Sequence, residues 1–378
     1  MSRAAAIVLA GGLLIIVAFA FDTSVLFVPG VAFVLIGLAV PPWIRLASRS
    51  TSVTRSFEVE QVLEDQPIEA CIEVRGGPLG VPGGEVIDPL AGGSIALGGF
   101  LFAPRGGRTA EIRVVARFGR RGRRTLEPPA LALRDPLGLY QMVRQGGDDT
   151  QTLLVLPRLE RPRWSRDESG ERLEQEAGAA AFEALAAVEV DGLRPYRQGT
   201  PASRISWPAL ARGAGLLERR MRAERESGPL VVLDARADGD DEHVDAAVRA
   251  AASLTHELAR RTGCDLLLPG DRRPVRIEAD LAAWPPTHVR LALVEGGSEA
   301  PPPALLAHPR GGMIFYVAAR GGQLPPQLMR GGHRGAVLVL PRDVQPPVRH
   351  PPRFEVSGCA GYLLTAGSRP QAPRERAA

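Results

Sequence analysis

Two apolar runs open the chain. Residues Ala4 to Phe21 and Val25 to Ile44 carry no charged or strongly polar group, and each is near the roughly 20 residues that a bilayer core requires. Only Asp22, Thr23 and Ser24 stand between them, so the pattern predicts a transmembrane helical hairpin within residues 1–48. Pro29, Gly30 and the Pro41–Pro42 pair fall near the span ends, where such residues are tolerated. The rhythm then changes. Phe57, Val59 and Val62 are expected to begin a strand, and Ile68, Ala70, Ile72 and Val74 alternate at period two. Ile112, Val114, Ala116 and Phe118 repeat that alternation, with Arg113 and Arg117 on the other face. Gly-Gly and Pro-Gly pairs punctuate the region and no amphipathic helix interrupts it. Residues 56–157 therefore read as a small antiparallel β-sandwich of about 100 residues, a usual size for that architecture.

Residues 158–228 form a charged connecting segment, with an acidic helical stretch expected around Asp167 to Glu176 and an Arg-rich stretch after Arg194. From Pro229 a third pattern begins. Leu230 to Leu233 reads as a buried strand ending in Asp234. The following helix places Val244, Ala247, Val248, Ala251, Leu254, Thr255 and Leu258 on one face. Gly263 supplies a stop, and Cys264–Leu268, Met313–Val317 and Ala336–Leu340 are further runs of strand length. Strands alternating with helices imply an α/β domain over 229–368 whose mostly parallel sheet is covered on both faces. Residues 369–378 read as a disordered tail.

Charge orients the hairpin. Arg3 precedes the first run, Arg45, Arg49 and Arg55 follow the second, and the intervening loop is acidic, so both flanks are expected in the cytoplasm. A rival reading is a signal peptide cleaved after Ala18-Phe19-Ala20. The second run would then act as a stop and leave the remainder on the same side. The expected location is the inner, plasma membrane, with the soluble domains cytoplasmic.

Composition excludes several chemistries. All 46 basic residues are Arg, and the chain has no Lys and no Asn. A phosphate-binding loop that ends in Lys, a pyridoxal Schiff base and a Ser-x-x-Lys hydrolase are therefore excluded. Aromatic residues make up only 5%, which disfavours a nucleic-acid binder built on base stacking, and no nucleic-acid partner is expected. The three cysteines, Cys71, Cys264 and Cys359, show no CxxC spacing, which argues against a disulfide framework or a structural zinc site.

Two segments resemble a known family. Gly119-Arg120-Arg121-Gly122 leads through Leu126, Pro128 and Leu131 to Asp135-Pro136-Leu137-Gly138-Leu139. Leu193-Arg194-Pro195-Tyr196-Arg197-Gln198-Gly199 follows, then Arg204-Ile205-Ser206-Trp207 and Ala211-Arg212. Glu224-Arg225-Glu226 and the strand ending in Asp234 come next in order. With the paired apolar runs, this arrangement is similar to the domain-of-unknown-function 58 family. The resemblance implies a membrane-anchored cytoplasmic protein whose C-terminal half is von Willebrand factor A-like. It also implies an adaptor role beside a MoxR-type AAA+ ATPase and a client protein, in assembly or maturation of envelope or other complexes, with no enzymatic activity. The chain departs from the family at Gly199-Thr200, where Gly-Asp is usual, and at Trp207-Pro208, where Trp-Lys is usual. The metal-ion-dependent adhesion site of A-type domains reads D-x-S-x-S, whereas Asp234 is followed by Ala235, Arg236, Ala237 and Asp238. With both serines replaced the site reads as degenerate, and Arg236 is placed to neutralise Asp234 where a divalent cation would sit.

The remaining candidates each have a plain alternative. Asp234, Asp238, Asp240 and Asp241 follow a strand end, where ligands bind in open α/β sheets. Hard oxygen ligands there suit Mg²⁺ and a metal-dependent hydrolase at Asp234 and Asp238; the alternative is a solvated turn capping the next helix. No cofactor is expected. The basic run Arg120, Arg121, Arg123 and Arg124, with Arg105, Arg108, Arg113 and Arg117 upstream, suits nucleic acid or, beside a membrane anchor, anionic lipid; the alternative is an exposed strand face with protective charge. In the block from Arg194 to Arg212, Tyr196 and Trp207 are aromatic anchors of the kind enriched at interfaces. Arg197, Arg204 and Arg212 suit bidentate contact with carboxylates; the same residues could instead clamp one domain to the other. The histidines show no HExxH, and neither GxSxG nor GxGxxG occurs.

Overall fold

The structure is a computed structural model that describes residues 3–77, 81, 83–97, 109–147, 150–165, 188–196, 205, 207–213, 215–223, 228–237, 239, 241–303, 313–321, 325, 335–347 and 350–364. Two compact units emerge: residues 1–119 with 123–155, and residues 120–122 with 156–378.

The first unit opens with two helices, α1 (Arg3–Ala20) and α2 (Ser24–Arg49), each long and apolar enough to cross a membrane. They pack through small residues. A Cβ added at Gly11 would stand 2.7 Å from the Gly30 carbonyl oxygen, and one at Gly37 would stand 3.0 Å from that of Ala4. Backbones this close require glycine at the crossing. The second apolar run reads as ending at Ile44, yet α2 continues through Pro41 and Pro42 to Arg49. Packing accounts for the extension. Ile44 is fully buried in the core of the strands that follow, with Val40 and Trp43 against the same core. Thr51 Oγ1 then closes the helix end by donating to the Ala47 carbonyl at 2.8 Å.

Among the described residues, ten strands follow: β1 (Ser52–Ser56), β2 (Gln61–Leu63), β3 (Ile68–Arg75), β4 (Gly84–Asp88), β5 (Gly93–Leu97), β6 (Thr109–Ala116), β7 (Gly122–Leu126), β8 (Ala130–Arg134), β9 (Gln141–Gln145) and β10 (Gln151–Leu156). They form sheets ordered β1-β3-β6, β2-β10-β7 and β5-β4-β8-β9 around one apolar core that includes Ile72, Val86, Leu133 and Leu153. The period-two alternation of Ile68 to Val74 is observed with its even positions buried. One expected strand start is corrected. Phe57 and Val59 lie in a loop, and Val62 stands in the separate strand β2, because the Glu60 carbonyl accepts from Leu154 and draws the chain across to another sheet. Inside the core Arg55 donates to Asp88 at 3.0 Å, to Gln151, and to the carbonyls of Leu126 and Glu127. A charge pair this buried persists because each of the three guanidinium nitrogens finds an acceptor.

The second unit contains β11 (Arg163–Trp164), β12 (Val188–Pro195), α3 (Trp207–Ala211), β13 (Leu217–Ala223), β14 (Leu230–Asp234), α4 (Asp241–Thr262), β15 (Cys264–Leu267), β16 (Val275–Ile277), α5 (Trp284–Ala292), β17 (Met313–Ala318), β18 (Gly335–Pro341), β19 (Phe354–Val356) and β20 (Cys359–Leu364). Part of the connecting segment is an antiparallel ribbon of β12 and β13, which its charge pattern did not suggest. The expected acidic helix at Asp167–Glu176 and the tail 369–378 lie outside the described residues.

The main sheet runs β11-β19-β20-β18-β17-β14-β15-β16. The expectation of a mostly parallel sheet is corrected to a mixed one. Pairs β14–β15, β14–β17 and β17–β18 are parallel, while β15–β16, β18–β20, β19–β20 and β11–β19 are antiparallel. The reversal at one edge has a local cause. Ser357 and Gly358 both take positive φ, 48° and 81°, between the paired Val356 and Cys359. That is the geometry of a two-residue hairpin turn whose twist matches antiparallel strands.

Helix α4 lies on one face of the sheet. Its buried Val244, Ala247, Val248, Ala251, Leu254 and Leu258 meet Val231, Leu233, Phe315, Val317, Val337 and Val339. Acidic Asp241 and Glu242 open the helix and basic Arg260 and Arg261 close it, matching its macrodipole.

Candidate functional site at the carboxyl edge of the sheet

Asp234 ends the central strand β14 and is 3% exposed. Its side chain shares a sheet face with that of Tyr316, because Tyr316 is registered against Val232 on the neighbouring parallel strand β17. Four donors converge on the carboxylate. Oδ1 accepts from Arg236 Nε at 2.9 Å and from the Arg236 amide at 3.2 Å; Oδ2 accepts from Arg236 Nη2 at 2.6 Å and from the Tyr316 hydroxyl at 2.6 Å.

The loop that carries Arg236 is fixed from both sides. The Gly297 amide donates to the Ala235 carbonyl, and the Ala237 amide donates to the Gly297 carbonyl. A Cβ at neighbouring Gly296 would strike Val244 Cγ2 at 2.4 Å, so only glycine permits this approach. The Ala319 amide also donates to the Asp234 carbonyl at 3.1 Å, joining the loop after β17 to the same corner.

Electrostatics follow the hydrogen bonds. Burial alone would raise the Asp234 carboxyl, but the bonds from Arg236 and Tyr316 outweigh it and hold it below the usual carboxylate value. The Asp234 hydrogen bond raises Arg236 further above an already high value. Burial first, then the Asp234 charge, pushes the Tyr316 phenol up. At neutral pH the corner is a closed ion pair with a neutral phenol donating into it.

Among the described residues, the bonds made to Asp234 leave its carboxylate no open oxygen for a divalent cation. A carboxylate offers about four lone-pair directions, and the four donors use them. Of the other carboxylates after this strand end, Asp241 opens α4 and pairs with Arg120, while Asp238 and Asp240 lie outside the described residues. Among the described residues no three His, Cys, Asp or Glu side chains gather into a metal-binding group.

The first turns of α4 are paired as well. Asp245, 5% exposed, takes Arg120 Nε at 2.9 Å and is also bonded by Arg121, whose Nη2 donates to the Val294 carbonyl at 2.7 Å. Arg120 reaches Asp241 at 3.2 Å. Arg121 is therefore a buried structural cation, while Arg123 is exposed. His243 Nε2 meets Asp343 Oδ2 at 2.6 Å, and that bond holds the Asp343 carboxyl below its ordinary value. Further along α4, His256 flanks Trp284, which stacks on His288 with centroids 4.8 Å apart. His288 Nε2 lies 2.8 Å from the Pro157 carbonyl.

Part of the expected interaction block lies among the described residues. Arg194 sits on β12 opposite Glu218, and the Tyr196 amide donates to the Leu216 carbonyl at 3.0 Å. Trp207 opens α3 and is 56% exposed, while Ile205 and Ala209 beside it are buried. Arg212 is exposed after that helix. Arg197, Gly199, Arg204 and the Glu224–Glu226 triplet lie outside the described residues.

Asp135, Pro136, Gly138 and Leu139 form the turn between β8 and β9 in the first unit. Asp135 Oδ2 accepts from the Leu137 amide at 2.9 Å and Oδ1 from the Tyr140 amide at 2.6 Å. Gly138 takes φ +67° and its amide donates to the Asp135 carbonyl. Pro at the second position with left-handed glycine at the fourth suits such a turn, so these motif residues are accounted for by backbone geometry.

Sequence reading placed Arg236 beside Asp234 but missed Tyr316, Asp245 and Asp343. Each of these meets its partner across 80 or more residues of chain, a distance over which the local pattern carries no signal. No family model matches the chain, and no curated protein matches it.

Proposed function

We propose that the chain is a membrane-anchored cytoplasmic adaptor of the domain-of-unknown-function 58 type, with a von Willebrand factor A-like C-terminal domain. In this reading α1 and α2 form a transmembrane hairpin in the plasma membrane. The adaptor works with a MoxR-type AAA+ ATPase on a client protein, in assembly or maturation of a larger complex, and performs no catalysis itself. The observation that carries the reading is the closed corner at Asp234. An A-type domain recognises its partner through a cation at this strand end; here Arg236 supplies the countercharge from within the chain and the neutral Tyr316 hydroxyl adds a hydrogen bond. Recognition therefore runs without a bridging metal, through side chains such as the exposed Trp207 and Arg212, residue types enriched at binding hot spots.

The reading is tested by affinity purification of the tagged full chain from gently solubilised native membranes, with and without ATP, read by mass spectrometry. Nucleotide-dependent recovery of an AAA+ ATPase is expected, and recovery is expected to fall for W207A. Absence of any ATPase under both conditions would overturn it.

A further inference from the structure

The turn between β8 and β9 sits against the ends of both apolar helices, and its chemistry suits a lipid surface. Arg3, the first residue of α1, donates through Nη1 to the Gly138 carbonyl at 3.3 Å. Arg45 on α2 donates to the Tyr140 hydroxyl at 3.1 Å, and its guanidinium lies 5.4 Å from that ring's centroid. Neither contact neutralises a guanidinium. Asp135, the carboxylate of this turn, is buried and spends its oxygens on the Leu137 and Tyr140 amides. Leu137, next to Gly138 in the same turn, is 64% exposed. An exposed apolar side chain on a turn that also meets two guanidiniums with no carboxylate partner among the described residues suits a headgroup boundary, where apolar and anionic groups lie side by side.

Level along the helices identifies what it meets. The 18 residues of α1 rise about 27 Å at 1.5 Å each, close to the thickness of a hydrocarbon core. Arg3 therefore marks the headgroup boundary, and its bond to Gly138 brings the turn to that depth. The close approach of Gly37 to Ala4 sets α2 in register with that boundary. Arg45 lies eight residues further on, roughly 12 Å below it, within reach of phosphate for a long side chain that snorkels. Tyr140 adds an aromatic ring of the kind enriched at membrane interfaces.

We propose that Arg3 and Arg45 flank a binding site for an anionic phospholipid headgroup, with Leu137 of the Asp135–Tyr140 turn reaching into the bilayer interface. The proposal rests on the reading of α1 and α2 as membrane spans, and goes beyond it by assigning the turn to the lipid surface. The site couples the first unit to the membrane by a second contact besides its helices and favours phosphatidylglycerol over phosphatidylcholine.

The test uses the full chain in nanodiscs. Cys264 and Cys359 are buried, so C71S with L137C carries one environment-sensitive label at the turn, and C71S with L13C carries one at mid-span as a control. Phospholipid brominated near the head of its acyl chain is expected to quench the label at position 137 in phosphatidylglycerol discs more than in phosphatidylcholine discs. The R3Q/R45Q variant is expected to lose roughly tenfold of the preference for phosphatidylglycerol retained by the detergent-solubilised chain in native mass spectrometry. A label quenched at position 13 but fully aqueous at position 137 would overturn the headgroup site while leaving the spans intact. Equal quenching in both lipids that survives R3Q/R45Q would also overturn it. Failure to quench either position would remove the membrane reading together with the site.

Discussion

The Arg236 guanidinium closes on both carboxylate oxygens of Asp234, at 2.9 and 2.6 Å, from only two residues further along the chain. The pair is three-quarters or more buried on both sides and is completed by Tyr316 from the next strand. It converts a strand end suited to a cation into a closed corner. Loss of either partner should be felt in stability before it is felt anywhere else.

Replacing Arg236 by alanine leaves a buried carboxylate with one phenol and one amide. The expected cost is about 2 kcal/mol, below the range for fully buried pairs because the arginine keeps some contact with water. D234N retains an acceptor for the Tyr316 hydroxyl but loses the ion pair. Because Asp234 is held below its unfolded value, its contribution is complete above about pH 4 and is lost as the pH falls through the lower folded value. Denaturant melts of wild type and D234N should therefore converge as the pH is taken below about 4. A stability gap that stays constant over that range would contradict the assignment.

How much of this corner was legible in the chain depends on sequence distance. Leu230–Asp234 reads as a buried strand from its unbroken apolar run, and the α4 face from its three- and four-residue steps, since both signals are local. Arg236 stands within two residues of Asp234 and was visible for the same reason. Tyr316 was not: its position follows from the register of two strands separated by 82 residues. Asp245 meets Arg121 across 124 residues, so a run of arginines that looks solvent-facing conceals one that is buried. The parallel expectation failed at Ser357–Gly358, where two positive φ values reverse the chain. A Ser-Gly pair is a weaker hairpin signal than Asn-Gly, and this chain has no asparagine with which to announce the turn.

Arg121 and Asp245 should behave as a coupled buried pair. R121A alone is expected to destabilise the second unit by about 3 kcal/mol, because Asp245 then keeps only the half-exposed Arg120. The double variant R121M/D245L should cost less than R121A, since it removes both desolvated charges. Chemical denaturation of wild type, R121M, D245L and R121M/D245L measures the coupling, with R121A alongside; strict additivity within that cycle would contradict direct coupling.

His288 gives the second unit a dependence on pH near neutrality. Burial, stronger than the opposing bond to the Pro157 carbonyl, depresses its imidazole below the free value of about 6.5. The unfolded chain then binds the proton first, so stability is complete above about pH 6.5 and falls as the pH drops towards the folded value. Thermal melts from pH 7.5 to pH 5 should show this loss for wild type and a flatter profile for H288Q. Identical profiles would remove His288 as the source.

Ile44 should couple helix α2 to the strands after it. I44A removes a fully buried side chain from the core shared with Ile72 and Leu133, and is expected to cost about 3 kcal/mol. Leu46, one turn-face away and exposed, should tolerate alanine within about 0.5 kcal/mol. Urea denaturation of the full chain in detergent, followed by near-ultraviolet circular dichroism, compares the two. Equal losses would show that burial of the α2 end is not what holds it.

The closed corner is tested most directly by a metal titration of thermal unfolding. A ligand that binds only the folded state raises the melting temperature. For the wild-type chain, Mg²⁺ and Mn²⁺ up to millimolar concentration are expected to leave Tm unchanged, and EDTA to leave it unchanged as well. A saturable rise in Tm of the wild-type protein that is abolished by D234N would contradict the account, because it would show a cation reaching the oxygens assigned here to Arg236 and Tyr316.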